Sequence, residues 1–423
     1  MDISIVYVMV SLFIFLLLSL PIGVAIGLSV LIGIWTGNIS YAFIIQKLFT
    51  SLDNFPILAV PFFIMAGEIM MKGGMAQRLL DLSRCLVGHI TGGLAQVTVL
   101  TSMFFGALSG SAPATTAAVG GIMIPSMKKE GYDLPFATSV STAAGCVGVM
   151  IPPSVPLIIY GTTAGVSVGS LFIAGIIPGI FVGLVLMLTS YILAKRKGYT
   201  GAGQCFDIKK LPQALLKSIH ALLVPVIILG GIYGGIFTPT EAGAVAVVYA
   251  LFMEGLIVRS LSLKICWDIL RKTALTTASI FLVVATATAL GQIFLFHNVP
   301  DLMVEFLIGI SENKYVVILI IIVFLLVMGT FMDALANILI LTPLLLPVVK
   351  HFGMDPIHFG IVMIVTISMG FITPPVGVNL FVGCGISKIS IERLSFAMLP
   401  FLIAMLIALL FLIFIPYLSL ALL

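Results

Sequence analysis

Two short polar runs carry side chains that could bind a cation. Residues 106–116 read GALSGSAPATT, and residues 329–343 read GTFMDALANILILTP. The first offers the hydroxyls of Ser109, Ser111 and Thr115. The second offers the Asp333 carboxylate and the Asn337 amide. Two further runs, GVMIPPSVPLIIYG from Gly148 and GFITPPVGVNLFVG from Gly370, share a Gly-x-x-x-Pro-Pro pattern. Pro153 and Pro375 lack an N–H and bias Pro152 and Pro374 away from helix, so the chain must unwind there. Unwound backbone exposes carbonyl oxygens. In an apolar environment these are costly unless something binds them. Hydroxyls, one carboxylate and freed carbonyls form a donor set suited to a sodium ion. Helix N-termini restarting after each break offer a positive dipole end to an anion.

The surroundings are apolar. The 423 residues have a mean hydropathy of +1.28, and only 9% are charged, against about 25% in soluble domains. Apolar runs at 3–20, 218–236, 315–332 and 394–418 approach or exceed the roughly 20 residues that cross a bilayer. An all-α polytopic membrane protein follows, because a β-barrel would show short alternating segments. The first run lacks a basic leading region and a polar cleavage region, so it reads as a retained helix. Five scattered cysteines suggest no disulfide framework. His351 and His358 do not make a persuasive metal site. The net charge of +4 sits in loops and reads as topology, with no nucleic-acid partner.

The chain contains itself twice. Gly148, Pro152, Pro153 and Gly161 match Gly370, Pro374, Pro375 and Gly383 at an offset of 222. The same offset aligns Pro125, Gly131 and Asp133 with Pro347, Gly353 and Asp355. It also places Ser111 on Asp333 and Thr115 on Asn337. Paired interruptions at matching positions are the best sequence pointer to a transport site. The expectation is two inverted repeats, each with a re-entrant helical hairpin and a broken transmembrane helix. Repeat one spans 1–195, with scaffold helices, an arm helix, a hairpin at about 93–127 and a broken helix at about 134–161. Repeat two spans 218–423, with the same parts, its hairpin at about 315–350 and its broken helix at about 356–383. Residues 196–217 form the linker, and Lys195 at its edge with Arg196, Lys197, Lys209, Lys210 and Lys217 places it in the cytoplasm. Arg259, Lys264, Arg271 and Lys272 mark a second cytoplasmic loop. The arm helices carry Met75, Leu79, Leu82 and Leu86 on one face, and Leu302, Phe306 and Ile310 on the other's; both should lie at the membrane interface or brace other helices.

Single polar residues have competing roles. Asp333 follows a long apolar run and reads as functional. Glu241 after Thr238-Pro-Thr240 reads as a helix cap. Further upstream the repeat offset drifts by two, so that Gly67 matches Gly291 and Glu68 matches neutral Gln292, which argues for a structural hydrogen bond. Ser109 and Ser111 could simply permit close helix packing, but the repeat favours a site. Trp35 and Trp267 suit interface anchoring.

At these residues the chain resembles the large membrane subunit of tripartite ATP-independent periplasmic (TRAP) transporters. The matching segments include PFFIMAGEIM, GALSGSAPATTAAVGGIMIP, IPPSVPLIIYG, GGIFTPTEAGAVAVVYAL, LILTPLLLPVVKHFGMDPIHFGIVM and GFITPPVGVNLFV. They cover nearly the whole chain, at the length of an unfused large subunit. The resemblance implies an elevator-type fold of the ion-transporter superfamily and sodium-coupled uptake across the bacterial inner membrane. The cargo would be sialic acid, a C4-dicarboxylate or a related organic acid. The implied partners are a small four-helix membrane subunit, a periplasmic substrate-binding protein and the bilayer. No cofactor is implied beyond sodium as coupling ion, and no enzyme activity. Carried over by position, one sodium site uses Ser109, Ser111, Gly145, Gly148 and Met150; the other uses Gly329, Asp333, Met369, Gly370 and Thr373. Substrate would meet Ser111, Pro113, Ser154, Pro156, Asp333 and Asn379. The alternatives are a stand-alone sodium/carboxylate symporter or exchanger, a channel and an intramembrane enzyme. Fused repeats argue against the channel, and the lack of an H-E-x-x-H run argues against the enzyme.

Overall fold

A computed structural model of the chain describes residues 3–37, 39–200 and 211–423. Part of the linker, with Lys209 and Lys210, lies outside the described residues, as does Cys205. The described residues are helical and contain no strand. Among the described residues, eight helical stretches are long and apolar enough to cross a bilayer.

The first half opens with α1 (Ile3–Leu17), α2 (Ile22–Gly37), α3 (Tyr41–Thr50), α4 (Ala59–Lys72) and α5 (Met75–Val87). A helical pair follows, α6 (Gly93–Ser109) and α7 (Ala112–Lys129). Next come α8 (Leu134–Cys146), a single 3-10 turn at Val147–Val149, an irregular stretch and α9 (Val155–Ala164). The half closes with α10 (Val168–Arg196). After the linker, α11 (Leu211–Tyr233) and α12 (Pro239–Leu251) pack as a pair, and a π-helical segment, Phe252–Ile257, leads out of α12. The second half continues with α13 (Leu263–Phe296), α14 (Val299–Ile310), α15 (Lys314–Phe331), α16 (Ala334–His351), α17 (Pro356–Gly370), α18 (Val378–Ser387), α19 (Ile391–Phe414) and α20 (Tyr417–Leu420).

Local chemistry sets several boundaries. Thr238 caps α12 in a full capping box: its N–H donates to Glu241 Oε2 at 2.8 Å, and its Oγ1 accepts from the Glu241 N–H at 3.3 Å. Asp355 caps α17 by accepting from the N–H groups of Ile357 and His358. Both Pro-Pro peptides, Pro152–Pro153 and Pro374–Pro375, are cis and fall between helices.

Two readings of the sequence change here. Arg271 and Lys272 do not lie in a loop. They sit more than a turn inside α13, a single 34-residue helix about 51 Å long. That length combines an apolar span with a polar first quarter, which sequence charge alone reads as a loop. The arm helices also differ from each other. On α5, Met75, Leu79 and Leu82 are buried, because α5 is clamped between α6 and α11. On α14, Leu302, Phe306 and Ile310 face outward, while Leu307 and Pro300 are buried. Its apolar stripe is therefore free to meet lipid.

The halves pack reciprocally. Helix α7 lies on α18, and its counterpart α16 lies on α9. Helix α8 lies on α19, and its counterpart α17 lies on α10. Such an exchange of equivalent partners is what a two-fold relation imposes. The axis itself can be located. Cys146 Sγ lies 3.2 Å from the carbonyl of Ser368, a residue 222 positions away, which is the repeat offset. A residue meets its own counterpart only beside the axis that relates them.

Candidate functional site

The α6–α7 turn is built from small residues. Gly110 adopts φ +57°, in the left-handed region that favours glycine. Ser111 then takes extended backbone and caps α7. A Cβ on Gly110 would sit 3.2–3.4 Å from Val155 N, Ser154 Cα and Pro153 O. The turn therefore rests directly on the broken stretch between α8 and α9. Behind it, Gly106 touches Gly148 backbone to backbone, and a Cβ on Gly106 would lie 2.7 Å from Gly148 Cα. Three oxygens gather at this contact. Thr115 Oγ1 lies 2.8 Å from both Ser109 Oγ and the Ser111 carbonyl. Gly148 leaves room for them, since a side chain there would strike Thr115 Oγ1. One residue on, the Thr116 hydroxyl is fully buried against Gly145 with no hydrogen-bond partner.

The α15–α16 turn repeats the plan with different chemistry. Gly329 and Gly370 touch backbone to backbone. The Gly377 N–H donates to the Thr330 carbonyl at 3.1 Å, tying the second broken stretch to the turn. Asp333 caps α16, accepting from the Leu335 N–H at 3.3 Å. Asn337 is fully buried. Its amide nitrogen donates to the carbonyls of Met328, Met332 and Asp333 at 3.1–3.4 Å. That orients the amide, because only the NH₂ end can face three carbonyls. The other end, Oδ1, is a buried acceptor without a donor. A buried, unsatisfied acceptor costs about 1–3 kcal/mol. Each turn thus carries one orphaned buried oxygen, Thr116 Oγ1 or Asn337 Oδ1, of the kind a cation would satisfy.

Both turns open onto one cavity of about 350 Å³. Residues 109–114 line it from one side, and residues 333–335 from the other. Val149, Val155, Pro156 and Phe371 contribute from the broken stretches, with Glu68 of α4 and Lys272 of α13 closing it. Ser109, Ser111, Pro113, Pro156 and Asp333 all reach this cavity. Gly145 and Gly148 lie behind the first turn, and Gly329 and Gly370 behind the second. Thr373 donates its hydroxyl to the Met369 carbonyl at 2.8 Å, which ties these two together beside Gly370. Three positions point elsewhere. The Met150 carbonyl faces Gly175 of α10. The buried Ser154 hydroxyl donates to the Val149 carbonyl at 2.7 Å, closing the broken stretch on itself. Asn379 is fully buried and directs its amide at Cys146 Sγ, on the two-fold axis.

Sequence reasoning passes over Thr116 behind the first turn and gives Glu68 and Lys272 other roles. Thr116 has no repeat signal of its own beside Thr115. Glu68 is no neutral structural group, because it forms an ion pair with Lys272 at 2.6 Å. Lys272 reads in the sequence as part of a loop, and its place on the cavity becomes visible only once α13 is seen to run on through it.

The family described as "Tripartite ATP-independent periplasmic transporter, DctM component" matches residues 9–418. The chain belongs to this TRAP transporter family. Similar relatives carry the family name. The "Isethionate TRAP transporter permease protein DctMQ" of Oleidesulfovibrio alaskensis is 45% identical over 95% of this chain, which spans 64% of that longer relative. The "C4-dicarboxylate TRAP transporter large permease protein DctM" of Pseudomonas aeruginosa is 40% identical over 89% of this chain and 88% of its own length. The "Sialic acid TRAP transporter large permease protein SiaM" of Vibrio cholerae is 39% identical with the same coverage. The crystal structure of the Alcanivorax borkumensis YdaH transporter matches with a TM-score of 0.66 over 89% of each chain at 15% identity. At that identity the likeness speaks for the fold. This chain is therefore a multi-pass TRAP permease whose halves meet at a shared cavity with a few polar groups in a mostly apolar lining.

Proposed function

We propose that this permease carries out sodium-coupled uptake of a small organic anion across the bacterial inner membrane. The observation that carries the reading is the convergence of both turns and both broken stretches on one cavity, with an orphaned buried oxygen behind each turn. In this reading Ser109, Ser111, Thr115 and Thr116 surround one sodium ion, with the carbonyls of Gly145 and Gly148. Asp333, Asn337 and the carbonyls near Gly329 and Gly370 surround another. The anion occupies the cavity between them. The two-fold axis lies in the membrane plane, so the repeats are inverted and the two hairpins enter from opposite sides. Motion is of the elevator type: hairpins and broken helices travel together, while the remaining helices, with a small four-helix subunit, stay fixed. A periplasmic binding protein delivers the cargo, and the substrates in the relatives' names make an organic acid the fitting class.

The energetics are favourable. Each unit charge moving inward through 100 mV releases about 2.3 kcal/mol, so two sodium ions with a monoanion enter downhill. The test is reconstitution with the small subunit in liposomes. Uptake of labelled isethionate, succinate and sialic acid is followed with and without a sodium gradient and the cognate binding protein. Uptake of one of them that needs both supports the reading. Sodium-driven uptake without the binding protein favours a stand-alone symporter instead. Absence of sodium-dependent uptake for all three refutes the assignment.

A further inference from the structure

The cavity has an electrostatic problem that its predicted residues do not solve. Asp333 faces it, and Glu68 faces it too. An organic anion entering between two carboxylates is repelled. Lys272 is the one cation among the cavity's lining residues. Its ammonium holds Glu68 at 2.6 Å. The pair is unequal in burial: the Glu68 side chain is 8% exposed and that of Lys272 59%. Glu68 is thus fixed in the wall of α4, where neighbouring Gly67 packs on the Leu108 carbonyl and Ser109 Cα. Lys272 is a long side chain that lines the cavity and is only partly covered. Thr276 and Ile280, one and two turns further along α13, line the same space.

We infer that Lys272 is the anion-recognising residue of this cavity and exchanges Glu68 for the carboxylate or sulfonate of the cargo. In the empty cavity Glu68 holds the ammonium. When an anion arrives, one charge-assisted contact replaces another and the lysine keeps its charge, while the sodium ions of the transport reading offset the negative charge that the cargo adds beside the released Glu68 carboxylate. Glu68 then acts as a competitor that tunes affinity, and it returns the lysine to rest when cargo leaves. Because Lys272 sits on α13 and the turns on α6–α7 and α15–α16, the contact spans the fixed and moving groups of helices. The inference rests on the transport reading above.

The experiment uses the reconstituted complex and whichever of isethionate, succinate or sialic acid the unaltered protein takes up. Lys272→Gln should raise the half-saturating cargo concentration at least tenfold, the scale of a lost charged contact of about 1.5–3 kcal/mol. It should leave half-saturation by sodium within twofold. Lys272→Arg should recover most of the affinity. Glu68→Gln should act in the opposite direction, lowering half-saturating cargo several-fold, because the lysine loses its competitor. If the pair merely braces α4 against α13, both neutral variants will impair uptake alike, and the exchange Glu68→Lys with Lys272→Glu will restore it. That outcome, or unchanged cargo affinity in Lys272→Gln, overturns the inference and leaves the transport reading intact. Failure of the unaltered protein to take up any of the three removes the transport reading, and this inference with it.

Discussion

The contact between Gly329 and Gly370 should be the least forgiving in the molecule. A methyl group on Gly370 would point into Gly329 backbone, with Cα at 2.6 Å and the carbonyl oxygen at 2.7 Å. Ordinary contact begins at 3.4 Å, so α15 and α17 must part by about 1 Å to admit it. Backbone cannot swing aside as a side chain can. Overpacking of this kind costs about 1–3 kcal/mol, and the displacement falls on the second turn, where Asp333 and the carbonyls must hold their geometry. Misplacement by about 1 Å at a positioned site lowers turnover by roughly 100-fold in enzymes. Gly370→Ala should therefore reduce sodium-driven uptake at least tenfold and raise half-saturation by sodium, measured as initial rates in proteoliposomes across a sodium series. Gly106→Ala, which meets Gly148 Cα at 2.7 Å, should do the same to the first turn. Gly148→Ala should be milder, since its hardest contact is the movable Thr115 hydroxyl. Gly309→Ala on α14 meets nothing within 4 Å and serves as the control. Gly370→Ala with normal rates and normal sodium dependence would sink the claim that this contact positions the turn.

Thr115→Ala removes the oxygen shared by Ser109 and the Ser111 carbonyl and should raise half-saturation by sodium about tenfold in the uptake assay, with cargo affinity at saturating sodium little changed. Asn337→Leu removes the amide from three carbonyls; those of Met328 and Asp333 keep backbone donors, so the loss falls on the Met332 carbonyl and should destabilise the purified protein by about 1–3 kcal/mol, read as a lower thermal midpoint. Arg78→Met leaves the fully buried Glu254 carboxylate, now 3.6 Å from that guanidinium, with only the Ser260 hydroxyl for support. The expected loss is about 3–5 kcal/mol, and adding Glu254→Gln should recover part of it in the same thermal assay. Tyr160→Phe deletes a 2.6 Å hydrogen bond to the Pro356 carbonyl and should cost about 0.5–1.5 kcal/mol, read by denaturation, without altering sodium dependence.

What the sequence determined by itself follows from local rules. Long apolar runs require helices in a bilayer, because no water satisfies the backbone there. Gly110 and the Pro-Pro pairs interrupt those helices, whereas single prolines such as Pro178 and Pro347 stay inside theirs. The constant offset of 222 ties the halves together, and Thr238 and Glu241 spell out a capping box in four residues. The family resemblance rested on such contiguous segments. Tertiary packing decided the rest. Ser154 and Asn379 sit in the right segments, yet their side chains turn into the broken stretch and onto the two-fold axis. The face a residue presents depends on which helix packs against it. The sequence already offers the Asn337 amide, but only the fold shows that three carbonyls consume its NH₂ end and leave its oxygen without a donor. Lys272 reads as a loop cation until α13 is seen to run on through it. Its pairing with Glu68 joins opposite halves of the chain, and no local propensity encodes a contact that exists only after both halves have folded around the same cavity.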